Sequence, residues 1–207
     1  GDGRKDQNWY SHDKYNFLHN EVYNYYKSES EDIMADLSLN WNITDWLMFS
    51  TVNRFNSSNW FTEAYYDPRT TLPSIPNGQI ENSYGGGWGF GTTNLLKANK
   101  DFGDHSINGV VGVEYGEGFS RSFNASATDM PNGQASLSNG IAQAVGGNNY
   151  ASRSWAWLAQ AQYSYKSRYI VSASVRYDET SRFAPKARGG YFPGASAAWI
   201  VSKEEWL

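Results

Sequence analysis

The sequence predicts an all-β chain: an antiparallel transmembrane β-barrel segment, about seven strands of a larger barrel. Three observations predict it. Apolar and polar residues alternate with period two over stretches of about ten residues, the length a tilted strand needs to cross a bilayer,. The connections between those stretches are alternately short and long, as in barrels with short periplasmic turns and long extracellular loops,. Aromatic residues collect at both ends of the stretches, where amphipathic rings favour a membrane–water interface,.

Residues 1–30 show no clean alternation and are expected to be loop; residues 31–207 are expected to be strands and loops. Ala35, Leu37, Leu39 and Trp41 alternate with Asp36, Ser38 and Asn40 and define the first strand. Residues 46–55 and 88–98 carry weaker alternation and make the second and third. In the fourth, Ile107, Gly109, Val111, Val113 and Tyr115 alternate with Asn108, Val110, Gly112 and Glu114. In the fifth, Trp155, Trp157, Ala159, Ala161, Tyr163 and Tyr165 face away from Ala156, Leu158, Gln160, Gln162 and Ser164. The sixth sets Tyr169, Val171, Ala173, Val175 and Tyr177 against Ile170, Ser172, Ser174 and Arg176. The seventh, 191–201, carries Ala195, Ala197 and Trp199 on one side.

The short connections are 42–45, 101–104 and 166–168; the long ones are 56–86 and 119–151, with 179–190 between. Trp41, Trp46, Tyr163, Tyr165, Tyr169 and Trp199 sit by short turns or the chain end, and Phe55, Trp88, Tyr115, Trp155, Trp157 and Tyr177 by the long loops. Bacterial single-chain barrels have even strand numbers, so an odd count implies that neighbouring strands lie on other sequence. A small self-contained barrel would need one more strand, which 8–27 would have to supply.

Composition narrows the function. The 207 residues carry a net charge of −4 with scattered Lys and Arg, which gives no footprint for nucleic acid,. Aromatics make up 16% of the chain, yet mean hydropathy is −0.65, as expected of strands with one greasy and one wet face. The absence of Cys removes disulfides and thiolate metal sites,. His12, His19 and His105 are too dispersed for a metal triad, and no calcium-loop pattern is present, so no metal or cofactor is expected,. The acidic cluster Glu29, Glu31, Asp32 has no catalytic motif around it, and no enzyme is expected.

Four features bear on a binding site. The run from Gly85 to Gly91 lacks the Lys-Ser/Thr ending of a phosphate loop; its glycines suit a bent or closely packed strand, and Trp88 and Phe90 could stack on a sugar,. Pro76-Asn-Gly-Gln79 recurs as Pro131-Asn-Gly-Gln134, two tight turns or a duplicated ligand device,. By alternation, Arg176 and Asp178 point to the wet side near the outer rim. With Arg182 they are candidates either to brace the adjoining loop as an ion pair or to touch substrate.

The stretch from Tyr163 resembles the SusC/RagA family of TonB-dependent outer-membrane transporters. The resemblance rests on Arg176, Asp178, Ser181, Arg182, Phe183, Phe192, Pro193, Ser196, Trp199, Ser202 and Glu204. Glu179 and Thr180 stand where the family has Gly-Ser, and Gly194 stands for Ser. Asn94-Leu-Leu96, Phe102-Gly-Asp-His105 and Gly112-Val-Glu114 also fit the family's mid-barrel hairpin. The resemblance implies a barrel of about 22 strands with a plugged lumen. It also implies the bacterial outer membrane as location, a SusD-like surface lipoprotein as lid, and TonB acting through a plug domain outside this sequence. The function implied is active import of a nutrient, such as glycan or peptide fragments. The competing reading from residues alone is a secreted carbohydrate-binding β-sandwich, which would bury its apolar strand faces between two sheets.

Overall fold

The computed structural model describes residues 17–70, 75 and 77–204. His12, Pro76 and the terminal residues 205–207 lie outside them. A helix α1, Phe17–Tyr23, leads into seven strands: β1 Tyr25–Thr44, β2 Leu47–Tyr66, β3 Gln79–Phe102, β4 His105–Thr128, β5 Ile141–Tyr165, β6 Tyr169–Thr180 and β7 Gly189–Trp199. They form one sheet in the order β1-β2-β3-β4-β5-β6-β7, so every strand pairs with its neighbours in sequence. The printed registers of β5–β6 and β6–β7 are antiparallel. The described strands form a single sheet, whereas the β-sandwich reading required two.

The seven strands match the count from alternation, but five are longer than expected. β1 and β2 have 20 residues, β3 and β4 have 24, and β5 has 25. Much of what was expected as loop in 56–86 and 119–151 is strand, and the connections shrink to 67–78 and 129–140. The N-terminal stretch likewise is helix and strand, not loop, from Phe17 onward. The difference is one of length. At about 3.3 Å per residue, 24 residues run about 80 Å, far beyond a hydrocarbon layer of about 30 Å. The expected strands stopped at the crossing length of about ten residues, whereas these continue past it; Phe119, Phe123, Ala125 and Ala127 still alternate with Ser120, Ser122, Asn124 and Ser126,.

The asymmetry of the connections survives. Asp45-Trp46, Gly103-Asp104 and Lys166–Arg168 are the short turns. Lys166 and Ser167 both adopt positive φ, 49° and 52°, and Arg168 N–H donates to Tyr165 O at 3.0 Å, closing a tight turn of the kind that matches strand twist,.

Contacts divide the chain into two compact units. The first comprises, among the described residues, those within 17–32, 57–87 and 120–150. It holds a small core of Tyr65, Ile80, Ala127 and Met130, with Tyr25, Ala135 and Leu137 packed against it. Asp67 is the polar centre of this unit, 1% exposed. Its carboxylate accepts from Arg69 Nε at 2.7 Å and Nη2 at 2.8 Å, from the Arg69 and Gly133 backbone N–H groups, and from the Tyr65 hydroxyl. Its own N–H donates to Asn24 Oδ1 at 2.9 Å. Three chain segments therefore meet on one residue. The second Pro-Asn-Gly-Gln copy forms a turn, Gln134 N–H donating to Pro131 O, with Gly133 at φ +69° aiming its N–H at Asp67.

The second unit comprises 33–56, 88–119 and 151–207. One face of its sheet is apolar, carrying Val111, Val113, Val171, Ala173 and Val175. Aromatic bands close that face at each end. Tyr165, Tyr169 and Trp199 stack in series near the short turns, with centroids 6.4 Å apart. At the other end Trp155, Trp157 and Tyr191 gather around Tyr177. The opposite face carries Gln160, Gln162, Ser172, Ser174 and Ser196, with Ser172 and Ser196 hydrogen-bonded across strands at 2.7 Å. A sheet with one exposed apolar face and one polar face fits a wall between lipid and water.

Burial by itself would raise the Asp67 carboxyl, but the Arg69 side chain, the two backbone N–H groups and the Tyr65 hydroxyl outweigh it and hold the group down at about 2. An unfolded Asp titrates near about 3.9, so this stabilisation is complete above about pH 4 and is lost as pH falls towards about 2. Asp67→Asn in the full-length protein should cost the loop cluster about 2 kcal/mol at neutral pH. Native-state hydrogen exchange at 129–134 checks it: protection should fall about thirtyfold at neutral pH, and the protection factor should no longer drop as pH falls below about 4.

Candidate functional site

The polar face of the second unit forms a shallow trough of about 640 Å³ lined by Arg54, Glu114, Ser154, Ala156, Arg176 and Asp178. A neighbouring hollow of about 620 Å³ adds Asn56, Ser152, Arg182 and Phe183, with Arg54, Ser154 and Thr180 common to both. The floor is glycine. Gly89, Gly91, Gly116 and Gly118 place bare backbone beneath it, and a Cβ at Gly89 would stand 2.6 Å from Asn56 Oδ1.

Charge organises the trough. Arg176 Nε donates to Asp178 Oδ1 at 2.8 Å and Oδ2 at 2.9 Å, and its Nη2 donates to Glu114 Oε2 at 2.5 Å. Arg176 and Asp178 are two apart on β6 and therefore share a face. Glu114 lies on β4, so the guanidinium reaches across β5, a span of roughly 10 Å at the usual strand spacing. What makes this possible is Ala156, paired with Asp178 in the register and only 4% exposed. A larger side chain at 156 would stand where the ion pair crosses.

The structure brings Arg176 and Asp178 together as expected and puts Arg182 in the adjoining hollow. The expected ion pair of Asp178 with Arg182 is replaced by Arg176 and Asp178 closing on each other and on Glu114. Arg182 lies past the end of β6, and its backbone N–H bonds Thr180 Oγ1 at 3.4 Å. Glu114 is the partner that the sequence did not single out. Its signal was present, as a carboxylate at a wet position among the otherwise uncharged residues 107–115.

Trp88 and Phe90 fall elsewhere. Gly89 and Gly91 turn towards the trough, so alternation sends both aromatic rings to the opposite face,. That face also carries Leu96 and Ala98, which line an apolar groove with Val111, Ala159 and Ala173. By that alternation the two rings lie on the apolar side, while Phe90 also lines the neighbouring hollow,.

The end of the chain explains a resembling motif. Glu204 accepts from Arg168 at 2.9 Å, the Tyr169 hydroxyl at 2.7 Å and Trp199 Nε1 at 2.9 Å. One carboxylate thus fixes the turn before β6 and the exit from β7.

A family described as "TonB dependent receptor-like, beta-barrel" matches residues 1–206. The TonB-dependent receptor P39 of Formosa agariphila is 27% identical over 171 residues, covering 78% of this chain and 16% of that protein. The TonB-dependent receptor P3 of the same organism is 26% identical over 168 residues, covering 79% and 17%. The chain thus spans about a sixth of the length of these relatives. Among solved structures, the RagAB peptide transporter superposes with a TM-score of 0.76 at 17% identity, covering 89% of this chain and 21% of that one. The RagAB peptide importer in its open-open state gives 0.76 at 18%, covering 90% and 21%.

Removing the guanidinium that joins three strands should be felt in stability. Arg176→Ala in the full-length protein should lower the unfolding free energy by about 1 kcal/mol, the partly exposed pair being screened by water. Arg182→Ala should change it by less than about 0.5 kcal/mol. Urea unfolding in detergent micelles, followed by tryptophan fluorescence, compares the two.

Proposed function

Because the chain belongs to the TonB-dependent receptor-like β-barrel family of the bacterial outer membrane, in its SusC/RagA-like branch, we propose that it forms part of the wall of an active nutrient importer. The observation that carries this reading is the two-faced sheet, apolar with aromatic bands on one side and polar with a glycine-floored trough on the other. The apolar side meets outer-membrane lipid, and further strands of the same barrel flank β1 and β7. Import proceeds without covalent chemistry. Nutrient passes along the polar side, a plug domain encoded outside this sequence moves, and TonB supplies energy through that plug.

A SusD-like lipoprotein is the proposed extracellular lid, and glycan or peptide fragments are the proposed cargo. The solved relatives of the same fold are peptide importers, which supports a polymer fragment as cargo. In the trough, Arg176, Asp178 and Glu114 act first as a brace; Arg182, which stands apart from that brace, is the proposed cargo contact.

Growth on single nutrients tests the reading. Deleting the full gene and deleting tonB should abolish growth on the same oligosaccharide or peptide source, while growth on its monomer persists. Unchanged growth of the gene deletion on every source that requires TonB would contradict it.

A further inference from the structure

The unit formed by 57–87 and 120–150 also has two faces, and one aromatic side chain stands apart on them. Tyr65, Ile80, Ala127 and Met130 bury one face, and Tyr84 packs on Phe123 there at 5.5 Å. Trp60 lies on the other. Its indole crosses Gly85, where a Cβ would stand 2.4 Å from ring atoms Nε1 and Cε2. Only glycine at 85 lets the ring occupy that place. Next to Gly85 the same face carries Ser122 and Asn124. Gly146 shares it too, since a Cβ there would meet Asn124 Oδ1 at 2.9 Å, and alternation then adds Asn148,.

Two tryptophans of the aromatic bands, unlike Trp60, have partners for their indole N–H. Trp155 donates its Nε1–H to Glu179 at 3.1 Å, and Trp199 donates to Glu204 at 2.9 Å. Among the described residues no hydrogen bond holds the Nε1–H of Trp60, and the side chain is 40% exposed. A large apolar plane with a free donor therefore faces water amid neutral hydroxyls and amides.

Resting on the importer reading, we propose that Trp60 is a saccharide-binding platform. Its indole stacks on the apolar C–H face of a neutral sugar ring, and Ser122, Asn124 and Asn148 hydrogen-bond the ring's hydroxyls. Ser122, Asn124 and Asn148, which share this face with the indole, are neutral, which suits a neutral ring. It disfavours a peptide held as an added strand, because β2, β3, β4 and β5 are internal to the sheet and offer no open edge,.

The test uses the full-length protein in detergent micelles, titrated calorimetrically with cellohexaose, maltohexaose, xylohexaose, laminarihexaose and a mixed hexapeptide pool. At least one hexasaccharide should bind, Trp60→Ala should weaken it about tenfold or more, and Trp60→Phe should keep it within about threefold. Gly85→Ala keeps the indole but fills its seat, and should weaken the same sugar, which covers the case of a poorly folded Trp60→Ala. Binding of none of the four sugars, equal affinity in Trp60→Ala and Gly85→Ala, or Trp60-dependent binding of hexapeptide alone would overturn the assignment. Uptake in cells separates the two readings. TonB-dependent uptake with sugar binding indifferent to Trp60 defeats the platform alone, whereas Trp60-dependent binding without TonB-dependent uptake defeats the importer alone.

Discussion

The constraint on which the rest depends is that backbone N–H and C=O groups cannot be left unpaired in hydrocarbon, where each costs several kcal/mol. A chain that crosses a membrane as strands must therefore hydrogen-bond every strand to its neighbours along the full crossing. Sequential antiparallel hairpins are the simplest way to do this, and the order β1 through β7 is that arrangement. β1 and β7 each have one neighbour among the described residues, so their outer edges call for further strands of the same wall. The tight Lys166–Arg168 turn and the triple-donor clamp on Glu204 keep β5, β6 and β7 in register at the short-turn end.

Pairing fixes the backbone, and alternation then hands the two faces to two solvents. On the lipid-facing side small and branched residues lie between aromatic bands, and their exposure in a water-soluble protein would be a liability. On the polar side a charge network must cross strands without a buried, unpaired member. Arg176 solves this with two carboxylate partners and a small residue, Ala156, beneath it. In the first unit the same logic gathers loops on Asp67, whose bonds come from three separated segments. The two polar centres do different work: one stiffens the sheet of the second unit, and the other holds the loops of the first.

The parts legible in the sequence were those that touch an apolar medium. The strands containing Val111, Ala159 and Val171, the short turns and the aromatic bands were readable because period two is imposed by hydrocarbon on one side. The strand ends around Trp60, Ser122 and Asn148 were not, because they run past the length that a bilayer crossing requires,. Site residues divided the same way. Arg176 and Asp178 stood out as charges at wet positions, while Glu114 joins them only through the register of three strands. The weak alternation of β3 hid which face Trp88 and Phe90 take. Trp60 went unnoticed because its seat is made by a glycine twenty-five positions away, a relation carried by strand pairing and by nothing local.

The central claim is that one face of this sheet meets lipid and the other meets water. Single cysteines at alternate positions of two strands in the full-length, membrane-embedded protein test it most directly, read out with a small water-soluble maleimide. Cysteines replacing Gln160, Gln162, Ser172 and Ser174 should label, and those replacing Val111, Val113, Val171, Ala173 and Val175 should be protected until detergent is added. Rapid labelling at Val171 and Ala173 with protection at Ser172 and Ser174 would contradict the assignment of the faces.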